Sequence, residues 1–180
     1  SEVLDQVYVG DIQSFFNNFP NERFDVIVFG DVLEHIANPV AILDECRGFL
    51  NPNGHVVASI PNVAHLAIRT MLLEGRWDYS DLGILDKTHL RFFTRDSAID
   101  MFSNAGYQVH QIAPVRLKAE QVDSLCRLGL NPEMLAATSK LIRDDHAFDF
   151  QYVFNAEPVA SIPDAVEKNG IVKRQLGLRV

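Results

Sequence analysis

Residues 24–39 have the sequence FDVIVFGDVLEHIANP, in which an unbroken apolar run leads into acidic and histidine side chains. The run from Phe24 to Phe29 lacks the alternation of a half-exposed strand, so it predicts a strand covered on both faces. Asn38 and Pro39 then place a capping side chain before a proline at the first helical position. The stretch therefore predicts a strand, a polar turn and a helix in succession.

The same alternation extends along the rest of the chain. Other short apolar runs predict strands at residues 7–9, 55–60, 107–112 and 148–155. Apolar residues at helical spacing predict helices at about 63–74, 94–105, 118–128 and 132–143. Strands that alternate with helices of this length predict an α/β fold with a largely parallel sheet.

Composition limits the possible functions. The 180 residues carry a formal net charge of −8 and are 47% hydrophobic, which is typical of one folded domain and excludes a disordered chain. The acidic balance argues against nucleic acid as a partner. No apolar run reaches the roughly 20 residues that span a bilayer, so no membrane partner is expected. Cys46 and Cys126 lie far apart outside any metal or redox spacing, which predicts structural thiols and a cytoplasmic protein.

Polar residues follow the predicted strand 24–29 directly. In open α/β sheets, ligands bind beyond the carboxyl ends of the strands, which selects Gly30, Asp31, Glu34 and His35. Gly30 would let a ligand approach the backbone, and the other three supply acceptors and a titratable group. The alternative is a capped turn that only prepares the following helix.

A second polar cluster lies in LDKTHLRFFT, residues 85–94, which holds His89 and Arg91 and could form a lid over a site. The alternative for His89 is a purely structural hydrogen bond. Among the other histidines, only His65 is a candidate to line a pocket. No residue set shows the spacing of a metal site, so no metal is predicted, and no glycine-rich GxGxxG loop occurs in the sequence.

The sequence resembles the class I S-adenosylmethionine-dependent methyltransferases, and specifically the bacterial group that acts on small molecules and glycans. The matching pieces occur in order: VYVGDI, FDVIVFGDVLEHIANP, LNPNGHVVASIPNV, LDKTHLRFFTRDSAIDMFSNAGYQV and FQYVFNAEP. The resemblance implies a Rossmann-like sheet in the order 3-2-1-4-5-7-6, with strand seven antiparallel and helices on both faces. It covers about residues 2–158. We therefore expect residues 1–158 to form a truncated methyltransferase domain and 159–180 to be an extension or linker.

The largest departure from the family pattern is at the beginning. The chain is expected to start just before strand three, without strands one and two and without the glycine loop that holds the methionine part of the cofactor. Strand four would then be an exposed apolar edge, and such edges pair with other chains. This predicts either a homodimer through the sheet edge or a displaced N-terminal segment, and an incomplete or inactive fragment.

The resemblance also implies roles for individual residues. S-adenosyl-L-methionine is the expected cofactor. The residues expected to bind it are Asp11, Ile12, Gly30, Asp31 and Glu34. His89 is the first candidate for a general base and His35 the second. The expected contacts of a small-molecule or sugar-type acceptor are Asn62, His65, Trp77, Tyr79 and Arg91.

Two other functions remain open at this point. A nicotinamide-dependent enzyme of Rossmann type would need a glycine loop after its first strand, which the sequence lacks. A non-catalytic interaction module could keep the methyltransferase scaffold without its chemistry. The upstream coding sequence would separate this module from an enzyme fragment.

Overall fold

The computed structural model describes residues 4–159. Four strands form one sheet: β1 (Phe24–Gly30), β2 (Leu50–Pro61), β3 (Tyr107–Arg116) and β4 (Asp149–Pro158). Six helices accompany them: α1 (Ile12–Asn18), α2 (Pro39–Cys46), α3 (Leu66–Leu73), α4 (Arg95–Asn104), α5 (Ala119–Cys126) and α6 (Pro132–Leu141). Short 3₁₀ helices lie at Leu33–His35, Arg47–Phe49 and Asp145–Phe148.

The strand order is β1-β2-β4-β3. β1 and β2 are parallel, and β4 is antiparallel to both of its neighbours, β2 and β3. β4 therefore runs against the other three strands. This arrangement confirms the expected α/β class and matches the part 4-5-7-6 of the expected order, with the last strand antiparallel.

Two local signals account for the helices that border the sheet. The Asn38 side chain accepts a hydrogen bond from the Ala41 amide at the start of α2, and Thr94 and Ser97 form a reciprocal capping box at the start of α4. α4 stops before Gly106, which adopts a φ of 78° that favours glycine. Both predicted helix starts are confirmed.

One face of the sheet carries the main core. α2 and α4 pack against it, and α1 joins the same core through Phe16, whose ring stacks on Phe49 at 4.9 Å. The buried sheet residues of this core are Phe29, Leu50, Val56, Ala58, Ile60, Tyr107, Tyr152, Phe154 and Ala156.

The opposite face is open over the described residues, which corrects the expectation of helices on both faces. Val26 and Val28 of β1 are exposed, and Val57 of β2 and Val153 of β4 are only half-buried. The reason is that α3, α5 and α6 pack on one another rather than on this face. They form a separate helical layer that follows the carboxyl ends of β2 and β3 and precedes β4.

The strand predicted at residues 7–9 does not form. Val9 is 91% exposed, and residues 4–10 carry no ladder to a neighbouring strand. Tyr8 instead packs its ring edge-on against Phe15 and Phe19, at 5.6 and 5.4 Å between ring centroids. An extended segment needs a partner strand to satisfy its backbone, and β1 pairs within the described residues only with β2. A helix, α1, follows where none was predicted.

Among residues 4–159, no helix combines the length and apolar character needed to cross a membrane. The predicted extension at 159–180 lies outside the described residues, apart from Val159, whose amide donates to the Gly106 carbonyl at 2.9 Å.

Candidate functional site

The polar turn after β1 and the segment 85–94 meet at one end of the sheet. The Glu34 carbonyl accepts hydrogen bonds from the amides of Leu90 (2.8 Å) and Arg91 (3.0 Å). These two main-chain bonds fix the second polar cluster beside the first, although the two lie far apart in sequence. The fold thus brings together both clusters that the sequence singled out.

Asp31 is held in an unusual conformation at the carboxyl end of β1. Its φ is 52°, a left-handed value that aspartate tolerates better than most residues. The Ser59 hydroxyl donates to Asp31 Oδ1 at 3.0 Å, and Gln151 Nε2 donates to the same oxygen at 3.1 Å. The carboxylate is therefore fixed by two neighbouring strands while remaining exposed.

Gly30 precedes it and faces open space. A Cβ built at Gly30 would meet no atom within 4 Å, so no contact within the protein requires glycine there. The backbone at this point is accessible to a ligand, as the sequence analysis expected.

Glu34 is the most unusual side chain of the site. The residue is 1% exposed, and among the described residues neither carboxylate oxygen has a hydrogen-bond partner. Burial raises the pKa of this carboxyl group, the backbone amide of Glu34 lowers it in part, and the negative charge of Asp31 raises it further. A buried carboxylate without partners is costly, which makes Glu34 a candidate functional residue.

Two histidines lie next to Glu34. The rings of His35 and His89 are 4.7 Å apart between centroids, and His89 Nε2 is 4.0 Å from Glu34 Oε1. His35 Nδ1 lies 3.2 Å from the Thr88 carbonyl, and His89 Nδ1 lies 3.0 Å from the Ile84 carbonyl. Burial lowers the pKa of His89, which favours its neutral form.

Glu34, His35 and His89 each offer one donor atom, and these three atoms lie within 4.8 Å of one another. The set could exchange protons with an acceptor or hold a cation. All three residues are candidates from sequence, but no metal is predicted there, because His89 lies far from Glu34 and His35 along the chain. The adjacent pair Glu34-His35 at a strand end was the available signal.

An aromatic group lies beside His89. The Phe92 ring is 6.2 Å from the His89 ring, 5.2 Å from Trp77 and 6.2 Å from Tyr79. Trp77 and Tyr79 were expected to contact the acceptor, and both are partly exposed here. Phe92, which joins them to His89, was not singled out from sequence.

Three other expected acceptor contacts are engaged in structural bonds. Arg91 Nε donates to the Ala37 carbonyl at 3.0 Å. The buried Asn62 donates from Nδ2 to the Asp149 carbonyl at 2.7 Å and accepts from the Ala64 amide. His65 is 0% exposed, with Nε2 2.8 Å from the Leu117 carbonyl and Nδ1 accepting from the Ala67 amide. We therefore assign Asn62 and His65 a structural role in place of the expected one.

Two of the residues expected to bind the cofactor, Asp11 and Ile12, lie at the start of α1. Asp11 is exposed and caps the helix, accepting from the Gln13 amide at 2.8 Å, while Ile12 is half-buried against the main core. A contact between these two residues and the cofactor would therefore have to be made on the exposed side of the start of α1.

The polar turn at the carboxyl end of β1 lies beside the segment 85–94, at the edge of the sheet where ligands bind in open α/β folds. Residues 3–112 match the family model described as "Methyltransferase domain". The match covers more than half of the chain, which therefore belongs to this family, the class I S-adenosylmethionine-dependent methyltransferases whose cofactor is S-adenosyl-L-methionine.

Individual relatives agree with this family. A ubiquinone biosynthesis O-methyltransferase of Cereibacter sphaeroides is 33% identical over 85 residues, which is 47% of this chain and 34% of that protein. A protein of the same name from Shewanella pealeana is 28% identical over 83 residues, covering 46% and 35%. The chain thus spans about a third of the length of these curated relatives.

Among solved structures, a SAM-dependent methyltransferase from Archaeoglobus fulgidus shares the fold. Its TM-score is 0.51 at 14% identity, over 84% of this chain and 66% of that chain.

Proposed function

We propose that this chain provides the acceptor side of an S-adenosylmethionine-dependent methyltransferase site and serves methyl transfer to a hydroxyl group of a small molecule or sugar. The observation that carries the proposal is the buried, unpartnered Glu34 carboxylate beside His35 and His89, next to the accessible backbone of Gly30. The names of the relatives, which are O-methyltransferases, agree with a hydroxyl acceptor.

The residues present fit one side of the cofactor. Open space at Gly30 admits a ligand close to the backbone, and the fixed Asp31 carboxylate places negative charge where a cation would be stabilised. S-adenosylmethionine supplies an electrophilic methyl group on a cationic sulfonium. No glycine-rich loop for its methionine part occurs in the 180 residues. We therefore propose that this chain alone binds the cofactor weakly and does not complete the reaction.

The chain's own residues would act mainly by alignment and by moving one proton. Methyl transfer is an in-line displacement, so the acceptor oxygen must be held close to the methyl carbon and shielded from water. Trp77, Tyr79 and Phe92 offer an aromatic surface for the acceptor beside His89. His89, with its lowered pKa, is available in neutral form to take the hydroxyl proton, and His35 is the second candidate.

We further propose that the partner of β1 is a second copy of the chain. Phe24, Val26 and Val28 are exposed along this strand, which pairs on one side only among the described residues. An exposed apolar edge is a template for pairing with another strand. The acidic net charge of −8 excludes a general role in binding nucleic acid.

Binding of S-adenosylhomocysteine, followed by the backbone amide NMR signals of the chain, tests the proposal. We expect weak binding that shifts the signals of Gly30 and Asp31. Replacing Gly30 with alanine should weaken binding by roughly 5–30-fold, because overlap with the ligand costs about 1–2 kcal/mol.

Gly48→Ala is the matched control, since a Cβ at Gly48 also meets nothing within 4 Å. Equal affinity of both variants, or shifts confined to other regions, would contradict the proposal. Complete lack of binding at millimolar ligand would favour the alternative, a non-catalytic module on a methyltransferase scaffold.

A further inference from the structure

The Glu34 carboxylate is buried without a hydrogen-bond partner among residues 4–159. Both of its oxygens are unpaired there, and the residue is 1% exposed. Protonation alone does not solve this, because the new O–H would also need an acceptor. The nearest candidate, His89 Nε2, lies 4.0 Å from Oε1, which is too long for a hydrogen bond. A cation placed between these groups would satisfy the carboxylate.

The two histidines are oriented as metal ligands would be. Each Nδ1 faces a main-chain carbonyl, that of Thr88 for His35 and that of Ile84 for His89. A carbonyl only accepts, so these contacts favour the tautomer with the hydrogen on Nδ1, which leaves a lone pair on each Nε2. The Thr88 hydroxyl, also 3.2 Å from His35 Nδ1, donates to Asp86 Oδ1 and so is able to accept from the same N–H. Metal-binding histidines typically have this outer hydrogen bond, which fixes the tautomer and the ring orientation.

From this arrangement we propose that Glu34, His35 and His89 bind one divalent transition-metal ion. Two imidazole nitrogens and one carboxylate oxygen favour ions such as Zn²⁺ or Fe²⁺ over Mg²⁺ and Ca²⁺, which prefer oxygen ligands alone. Asp31 is not counted as a ligand, because the group of donor atoms that lie within 4.8 Å of one another contains only Glu34, His35 and His89 among the described residues.

The spacing requires only a small closure. The three donor atoms lie within 4.8 Å of one another, whereas donors bound tetrahedrally at about 2.1 Å from an ion are roughly 3.4 Å apart. His35 is exposed, so its ring is able to move toward the other two ligands. Glu34 and His89 are held by the main-chain bonds from Leu90 and Arg91 to the Glu34 carbonyl.

Three protein ligands leave at least one coordination position open, as in catalytic rather than structural metal sites. A hydroxyl oxygen that occupies this position loses its proton to water more readily, because the ion lowers its pKa. In this role the O–H bond would break and its proton would leave to solvent. The electron pair kept by the oxygen would form the new O–CH3 bond, while the S–CH3 bond of S-adenosylmethionine would break and release S-adenosylhomocysteine. This role rests on the proposed methyl transfer, and with the ion bound it would replace the general-base role of His89, whose remaining nitrogen then binds the ion. Binding of the ion itself does not rest on the proposed methyl transfer.

Titration of the metal-free, untagged 180-residue chain with Co²⁺, followed by visible absorption and with Zn²⁺ as competitor, tests the site. We expect one Co²⁺ per chain, displaced by Zn²⁺. His89→Gln should weaken Co²⁺ binding by at least about tenfold. His110→Gln is the matched control, since His110 is exposed and pairs with Glu157 away from the cluster.

Glu34→Gln provides a second variant that keeps the shape of the side chain and removes its charge. It should weaken Co²⁺ binding as His89→Gln does, and circular dichroism of both variants checks that they fold. Absence of Co²⁺ binding by the wild-type chain, or equal binding by wild type and His89→Gln, overturns the proposal. The amide shifts that S-adenosylhomocysteine causes at Gly30, measured without metal, report separately on the proposed function.

Discussion

Replacing His65 with asparagine tests whether the structure assigns this histidine correctly. His65 is fully buried at the start of α3, where Nδ1 accepts from the Ala67 amide and Nε2 donates to the Leu117 carbonyl at 2.8 Å. Asparagine is also a good helix cap, so it should keep the bond to Ala67. It is too short to reach Leu117, which leaves that carbonyl without its partner.

The expected loss of stability follows from these contacts. An unpaired buried carbonyl costs about 1–3 kcal/mol, and the smaller side chain leaves a cavity that costs about 1 kcal/mol more. We therefore expect His65→Asn to lower the free energy of unfolding by about 2–4 kcal/mol at pH 7.5. His65→Ala should cost about 1 kcal/mol more, because it also removes the cap.

The pH dependence gives a sharper test. Burial lowers the pKa of His65 in the folded chain, so the unfolded chain binds the proton more readily. The contribution of His65 is therefore present above the unfolded pKa, about 6.5, and is lost as the pH falls below it. The maximum loss from one group is about 1.4 kcal/mol per pH unit. His65→Asn lacks this loss, so its deficit relative to wild type should shrink in acid.

Urea unfolding followed by circular dichroism at pH 7.5, 6.5 and 5.5 measures both effects. The lowered pKa of His89 adds a slope of the same sign, but it is shared by wild type and variant and cancels in their difference. The exposed His110→Gln serves as control and should leave stability within about 0.5 kcal/mol. A deficit that stays constant with pH, or one below about 0.5 kcal/mol, would refute the reasoning.

Two further substitutions probe the fold at other points. Gly106→Ala should destabilise the chain by about 1–3 kcal/mol in thermal unfolding. The reason is that Gly106 has a φ of 78° and that a Cβ there would lie 2.6 Å from Arg47 Nη1. Unchanged stability would contradict this backbone conformation. Val28, on β1, is 66% exposed. Val28→Lys should convert the proposed dimer into a monomer in sedimentation, while leaving the unfolding temperature nearly unchanged. An equal mass for wild type and variant would exclude this edge as the interface.

The fold was predictable where local chemistry and burial agree. The apolar run of β1, the Asn38-Pro39 start of α2 and the Thr94 start of α4 all form as expected. The strand predicted at residues 7–9 does not form, because a strand needs a neighbouring strand to satisfy its backbone hydrogen bonds. Three apolar residues in the sequence do not reveal whether such a partner is present. The open sheet face has the same origin, since the apolar stripes of α3, α5 and α6 do not reveal that they pack on one another.

The position of the candidate site along the chain was predictable, but the set of side chains that meet there was not. The rule that ligands bind beyond the carboxyl ends of strands selected Gly30, Asp31 and Glu34, which the structure places together after β1. It could not distinguish histidines that face the site from those that hold the backbone. His65 follows a strand end just as His35 does, yet both of its nitrogens bond the main chain.

Several hydrogen bonds around Glu34 hold the cluster of Glu34, His35 and His89 together. A buried carboxylate with no partner works against folding, so the surrounding contacts must offset its cost. The Glu34 carbonyl accepts from two consecutive amides of the 85–94 segment, and Arg91 of the same segment donates to the Ala37 carbonyl just beyond it. These bonds tie the segment across the turn on both sides of Glu34 and hold His89 against it. An apolar residue at position 34 would pack there without this cost, and in the proposed metal site the bound ion would offset it.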